Sequence, residues 1–242
     1  MGAERRTMKP DLSIVVPALN EAAGILATLA ALQPLRARGV ELVLADGGSS
    51  DTTAAQARPW VDTVVDAPRG RALQMNAGAA RARADVLLFL HADTRLTPLA
   101  DVLVRQAVTG PGGKACWGRF DVHIEGRPWM LHVVAGLMNL RSRLSGIATG
   151  DQAIFVTRKA FEQVGGFPVQ PLMEDIEMSC RLKRLGRPAC LRARVCTSGR
   201  RWEQHGVEQW SSSSASRRWR RQQRRRFFRT ALDRRGCRRR QR

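Results

Sequence analysis

Residues 85–94 read Asp85-Val86-Leu87-Leu88-Phe89-Leu90-His91-Ala92-Asp93-Thr94, an unbroken apolar run that ends abruptly in a histidine and a carboxylate two residues apart. A short continuous apolar run marks a strand covered on both faces, as in parallel sheets, where ligands gather beyond the carboxyl ends of the strands. His91 and Asp93 therefore either form a metal site or only mark where a strand meets water. Upstream, apolar runs at 13–16, 41–45 and 61–65 alternate with helical periodicity at 20–32, from about Asp51, and at 70–84. Ser49, Ser50 and Asp51 offer N-caps for the second of these helices. Strand and helix in strict alternation predict an α/β fold, with a Rossmann-like, mostly parallel sheet and helices on both faces. Downstream the pattern loosens into a smaller mixed region. It comprises a helix at 96–108, an alternating strand of antiparallel type at 115–124, and a helix with an apolar face at 129–144. A strand at 152–156, a short helix at 158–164, a helix at 173–185 and a last strand at 189–195 follow.

The chain of 242 residues is 43% hydrophobic, which is ample for a proper core. Its net charge of +20 invites a nucleic-acid reading, but residues 207–242 carry +12 of it. Residues 1–206 mix signs and place acids at the strand exits, where nucleic acid would be repelled. The first strand leads into Pro17-Ala18-Leu19-Asn20-Glu21-Ala22-Ala23-Gly24 and not into GxGxxG, which disfavours a dinucleotide oxidoreductase. Lys114 lacks the GxxxxGK loop of P-loop phosphoryl transfer. The five cysteines make no CxxC pair and no zinc spacing, so reduced thiols are the simplest reading. Arg5, Arg6 and Lys9 mimic a secretion signal, but Asn20 and Glu21 interrupt the apolar region too soon, and the start is read as mature sequence. No stretch approaches the roughly 18 apolar residues of a membrane span. The expected location is cytoplasmic, with any membrane contact peripheral and at the inner face.

Three of the four N-terminal strands exit into polar clusters: Pro17-Ala18-Leu19-Asn20-Glu21, Asp46-Gly47-Gly48-Ser49-Ser50-Asp51, and His91-Ala92-Asp93. A glycine pair lets backbone approach a ligand closely, and a strand-end aspartate can accept from a base or ribose. The same residue types also make ordinary strand-to-helix turns.

Taken together, SIVVPALNEA, ELVLADGGSSDTT and LLFLHADT, in this order and spacing, resemble the nucleotide-sugar segments of the family 2 glycosyltransferases, whose fold is called GT-A. Gly150-Asp151-Gln152-Ala153-Ile154-Phe155, Gly165-Gly166-Phe167 and Leu172-Met173-Glu174-Asp175-Ile176-Glu177 are similar to that family's second half. GRALQMNAGA at 70–79 and HADT in place of an acidic triplet resemble a bacterial subgroup associated with arsenosugar biosynthesis. The resemblance covers about 12–206. It divides the domain into a nucleotide-sugar half (1–95) and an acceptor-binding, catalytic half (96–206), followed by a basic tail (207–242).

The resemblance implies an inverting transfer of a sugar from a nucleoside diphosphate, a UDP- or GDP-sugar, to a hydroxyl acceptor. Pro17, Ala18, Asn20, Glu21, Asp46, Gly47, Ser49 and Asp51 would line the nucleotide pocket, with Asp46 on the base. Arg71, Gln74 and Asn76 would lie near the ribose and diphosphate. Asp93 would hold Mg²⁺ or Mn²⁺ on the diphosphate, with Ala92 a small spacer. His91 departs from the family's first acid and would sit beside the nucleotide. Asp175 would be the catalytic base, supported by Glu174, with Gly150, Asp151 and Trp202 on the acceptor side. The rival reading is a basic nucleic-acid- or membrane-binding protein on a degenerate version of the same fold. In either reading the Arg-rich tail, with few aliphatic residues, is expected to be disordered or an isolated basic helix, able to touch anionic membrane.

Overall fold

In the computed structural model, eight strands form one sheet in the order β3-β2-β1-β4-β7-β6-β8-β5. The structure describes residues 9–110, 115–126 and 129–199. Trp202 and the basic tail lie outside them. The strands are β1 (Leu12–Ala18), β2 (Glu41–Asp46), β3 (Thr63–Asp66), β4 (Val86–Phe89), β5 (Thr94–Arg95), β6 (Trp117–Glu125), β7 (Phe155–Thr157) and β8 (Ala189–Ser198). The helices are α1 (Ile25–Ala37), α2 (Thr53–Ala57), α3 (Arg71–Arg81), α4 (Ala100–Thr109), α5 (Met130–Ser145), α6 (Arg158–Gln163) and α7 (Glu174–Leu182).

The first four strands are parallel, with β1 between β2 and β4. β1 and β2 are buried along their whole length, as their unbroken apolar runs require. The chain steps outward from β1 to β2 to β3, then crosses back to β4. Right-handed crossovers therefore put α1 and α2 on one face and α3 on the other. Strand order reverses beside β1, so the crevice beyond the ends of β1 and β4 is where a ligand is expected.

The second half extends the same sheet. β7 runs antiparallel to β4 and to β6, while β6 and β8 are parallel. The sheet is thus mixed, and the alternating run at 115–124 is antiparallel on one side only. Period-two alternation reports a half-buried strand but not the direction of its neighbour. The two-residue strand β5 is too short to leave a pattern in the sequence. It pairs antiparallel with the end of β8.

The first helix starts later than expected for an identifiable reason. The periodicity from residue 20 becomes helical only at Ile25, because the N–H groups of Asn20, Glu21 and Ala22 donate to Ser49 Oγ, Thr53 Oγ1 and Asp51 Oδ2 at 2.9, 2.8 and 3.2 Å. The helix then runs through Pro34 to Ala37. Gln152, expected to open a strand over 152–156, instead closes a 3-10 turn over Gly150–Gln152, and β7 begins at Phe155.

α3 packs over β1 and β2, and a core of Val15, Val43, Phe89, Trp117, Phe161, Phe167 and Met178 joins the two halves. Phe89 from β4 stacks on Phe161 at 5.4 Å and meets Phe167 edge-on at 4.8 Å. Such pairs add about 0.5–1.5 kcal/mol each beyond area burial. Among the described residues no helix is long and apolar enough to cross a membrane.

Candidate active site at the strand exits

The loops after β1 and β2 are tied to each other. Asn20, held left-handed at φ 54°, accepts the Ser50 N–H on Oδ1 at 2.9 Å while its own N–H reaches Ser49. Asp51 accepts from the Thr53 N–H and hydroxyl and from Ala22 N–H, and these bonds hold its carboxyl below the usual range. Asp46 accepts from Gly48 N–H at 3.1 Å, Ser49 N–H at 2.9 Å and Ser49 Oγ at 2.5 Å. Pro17 and Ala18 pair in register with Ala45 and Asp46, so both loops leave the sheet at one level.

α3 makes the three contacts that clamp this edge to the second half. Gln74, 4% exposed, donates to the carbonyls of Ala18 at 2.6 Å and Ala45 at 3.3 Å. A Cβ on Gly47 would lie 2.6 Å from the Gln74 amide nitrogen, so that glycine admits Gln74. Asn76 bonds both the carbonyl and the N–H of Phe167, at 2.8 and 2.9 Å. Arg71 pairs with the buried Glu174 at 3.3 Å. The amides of Gln74 and Asn76, expected beside the nucleotide, are committed to main chain, and they fix the geometry around the pocket.

After β4 the turn His91-Ala92-Asp93-Thr94 is held from two sides. Thr28 of α1 donates to the Ala92 carbonyl at 2.5 Å, and Ser198 N–H of β8 donates to the Asp93 carbonyl at 3.2 Å. Thr28 carries no ligand chemistry, and only its burial on the inner side of α1 could have flagged it. Among the described residues, the Asp93 carboxylate receives a single 3.4 Å contact, from Thr94 Oγ1. His91 Nδ1 lies 3.2 Å from Asp151 Oδ1.

His91 also lines a pocket with Glu174, Asp175 and Gly150, over an apolar floor that includes Phe89, Ile154 and Phe167. A Cβ added to Gly150 would fall on the His91 imidazole, so only glycine lets the two approach. Gly150 N–H donates to Asp175 Oδ2 at 2.6 Å, and Ile176 N–H donates to Oδ1 at 2.8 Å. Burial raises the Asp175 carboxyl above the usual carboxylate range, opposed by the Gly150 N–H and reinforced by the neighbouring Glu174 charge. Three non-glycine residues adopt positive φ among the described residues: Asn20, Ala153 at 47° and Met173 at 64°. Each flanks one of these segments, and left-handed backbone at Ala or Met costs about 1–3 kcal/mol, a cost that surrounding structure sustains mainly at functional sites. Met173 places Glu174 and Asp175 in the first turn of α7, and no sequence pattern announced its conformation.

Among the described residues no cluster of three or more His, Cys, Asp or Glu could hold a metal by itself. Mg²⁺ and Mn²⁺ need no such cluster when phosphate oxygens complete their shell and one or two carboxylates suffice. The lightly committed Asp93 carboxylate fits that arrangement.

The family model described as Glycosyl transferase family 2 matches residues 13–165. Two curated relatives, the uncharacterized glycosyltransferases MT1564 and Rv1514c of Mycobacterium tuberculosis strains CDC 1551 and H37Rv, are each 29% identical over 203 residues, covering 78% of this chain and 75% of theirs. Among solved structures, the mannosyltransferase PcManGT of Pyrobaculum calidifontis in complex with GDP-Man and Mn²⁺ has a TM-score of 0.59 at 20% identity. That match covers 78% of this chain and 57% of the other, so this chain spans little more than half of that neighbour's length. Glucosyl-3-phosphoglycerate synthase of Mycobacterium tuberculosis, in complex with Mn²⁺, UDP and its product, has a TM-score of 0.57 at 22% identity, covering 78% and 71%.

Proposed function

The chain belongs to glycosyl transferase family 2 and has the GT-A fold, and from that premise we propose that it moves a sugar from a nucleoside diphosphate to a hydroxyl acceptor with inversion. The observation that carries the reading is Asp175. Its two oxygens are aimed by the Gly150 and Ile176 N–H groups, and its proton affinity is raised by burial beside a pocket. In the transfer, the acceptor oxygen forms a bond to the anomeric carbon as the bond from that carbon to the diphosphate oxygen breaks, and the acceptor proton passes to Asp175. A raised pKa suits a base that must take up that proton near neutral pH. Glu174, neutralised by Arg71, keeps the start of α7 in place.

The donor, a UDP- or GDP-sugar, would lie across the exits of β1, β2 and β4, with Asp46 and its loop at the base and His91 beside the nucleotide. Its diphosphate would reach Asp93. Mg²⁺ or Mn²⁺ held there would offset the charge that develops on the leaving diphosphate. Gly150 and Asp151 would face the acceptor, a role the resemblance also gives Trp202, which lies outside the described residues. Residues 70–79 and His91 support a narrower place in the subgroup associated with arsenosugar biosynthesis. The neighbours' complexes with GDP-Man, UDP and Mn²⁺ support the donor class.

A thermal-shift panel of UDP-, GDP- and dTDP-sugars, with and without Mn²⁺, tests this directly, since a ligand bound to the folded state raises its stability. One donor class should raise the midpoint, more so with Mn²⁺. A flat response to all donors would refute the reading.

A further inference from the structure

α5 is packed the wrong way round for a helix of a water-facing domain. Its buried side is small: Leu131, Ala135 and Ser142, together with Asn139, whose side-chain amide bonds both the N–H and the carbonyl of Val122 at 2.9 Å. Its outer side carries Met130, Val133, Leu137, Leu140 and Leu144, 41, 48, 60, 52 and 80% exposed, with Trp129 at 74% just ahead of the first turn. At 100° per residue these six side chains fall within one arc opposite the packed face. Monomeric proteins rarely expose a continuous apolar surface of this kind without a use for it.

Three occupants are conceivable for such a face, and charge and length separate them. A second copy would meet it as a coiled coil, since the spacing of three and four is that of core positions. Yet the stripe spans two heptads, fewer than the three or four that such pairing sustains. The chain's own residues 207–242 hold 14 arginines, and their large apolar side chains, Val207, Trp210, Trp219, Phe227, Phe228 and Leu232, are mostly interleaved with them, so covering the face would carry those charges out of water. A bilayer surface needs neither register nor a matching shape. It accepts an apolar arc with an aromatic residue at one end, as interfacial helices present it. The net charge of +8 on residues 1–206, without the tail, favours the anionic kind.

We propose that the outward face of α5 is an interfacial membrane-binding surface that seats this protein on anionic lipid, independently of the basic tail. The apolar side chains enter the headgroup–acyl boundary, with Trp129 at one end of the arc. The helix ends at Gly146, left-handed at φ 64°, and only Ile147, Ala148 and Thr149 separate it from Gly150.

Co-sedimentation of the full chain with vesicles of phosphatidylcholine and phosphatidylglycerol in equal parts tests this without any donor. Its failure would therefore leave the glycosyl-transfer reading standing, and the reverse also holds. The tail's contribution is removed at about 1 M NaCl, where the Debye length is about 3 Å. There the wild type should stay bound, and Leu137→Asp with Leu140→Asp should bind about tenfold or more weakly, the scale set by withdrawing two leucines from an apolar phase. Leu137→Ser with Leu140→Ser, which adds no charge, should fall in the same direction. Both variants should keep the wild-type unfolding midpoint, and if the Asp pair does not, the Ser pair decides. Equal high-salt binding by wild type and variants would overturn the proposal. So would a wild-type dimer in analytical ultracentrifugation that the variants convert to monomer while neither binds vesicles, because the face would then serve self-association.

Discussion

After β1 and β2 the carboxylates of Asp46 and Asp51 are answered by N–H groups and hydroxyls of the two loops: Asp46 by Gly48 and Ser49, Asp51 by Thr53 and by Ala22 of the other loop. In the segments that carry Gly150 and Asp175, two main-chain N–H groups also answer the carboxylate, but burial and a neighbouring acid oppose its charge. Asp175 is buried with a raised pKa next to the acid Glu174, and Ala153 and Met173 hold left-handed backbone. One region is relaxed and preformed, which suits a nucleotide pocket common to many donors. The other stores unfavourable polarity, which suits the place where a proton is moved. The comparison teaches that equal main-chain donation can leave two aspartates in different states, set by a neighbouring acid and an apolar floor.

The largest test of that contrast is Asp175→Asn. It should lower the transfer rate about 10²–10⁴-fold while leaving Mn²⁺-dependent nucleotide binding close to wild type. Gly150→Ala comes next, because the added methyl meets His91 and displaces the N–H that aims Asp175. Overpacking of this kind costs about 1–3 kcal/mol, readable as a lower urea midpoint together with a lower kcat. On the relaxed side, Asp46→Ala strands two N–H groups and one hydroxyl. It should lose about 1–3 kcal/mol of stability, with weaker nucleotide binding but little change in the pKa that governs the rate.

The smallest effect is in pH. The native Asp175 carboxyl ionises above its unfolded value of about 3.9, so the folded state holds its proton longer. As pH rises from there to the raised native value, the unfolded state is favoured and stability falls, levelling off above it. Denaturant titrations across this range should show that decline in the wild type and a flatter profile in Asp175→Asn. The acid limb of the rate profile should likewise lie above the ordinary carboxylate range.

The parallel half of the sheet was legible because continuous apolar runs bounded by Asp, Gly and Ser report both a buried strand and its exit. The same residues at the exits could not say whether they serve a turn or a ligand. Asp46 is bonded into its own turn, and Gln74 and Asn76 hold main chain, which depends on contacts 29 to 91 residues apart in sequence. The periodicity of α5 gave an apolar face but not its direction, since periodicity is blind to which side meets the sheet. Met173 and Ala153 left no trace, because nothing local in either residue favours positive φ.

The central claim divides the labour between two carboxylates, Asp93 for the donor's diphosphate and Asp175 for the acceptor's proton. Calorimetric titration of the Mn²⁺ complex of the nucleoside diphosphate selected by the thermal-shift panel into wild type, Asp93→Ala and Asp175→Asn separates them in one measurement. The account predicts binding about tenfold or more weaker in Asp93→Ala, the scale of losing one charged contact, and unchanged in Asp175→Asn. Unchanged binding in Asp93→Ala, or equal weakening in both, would contradict it.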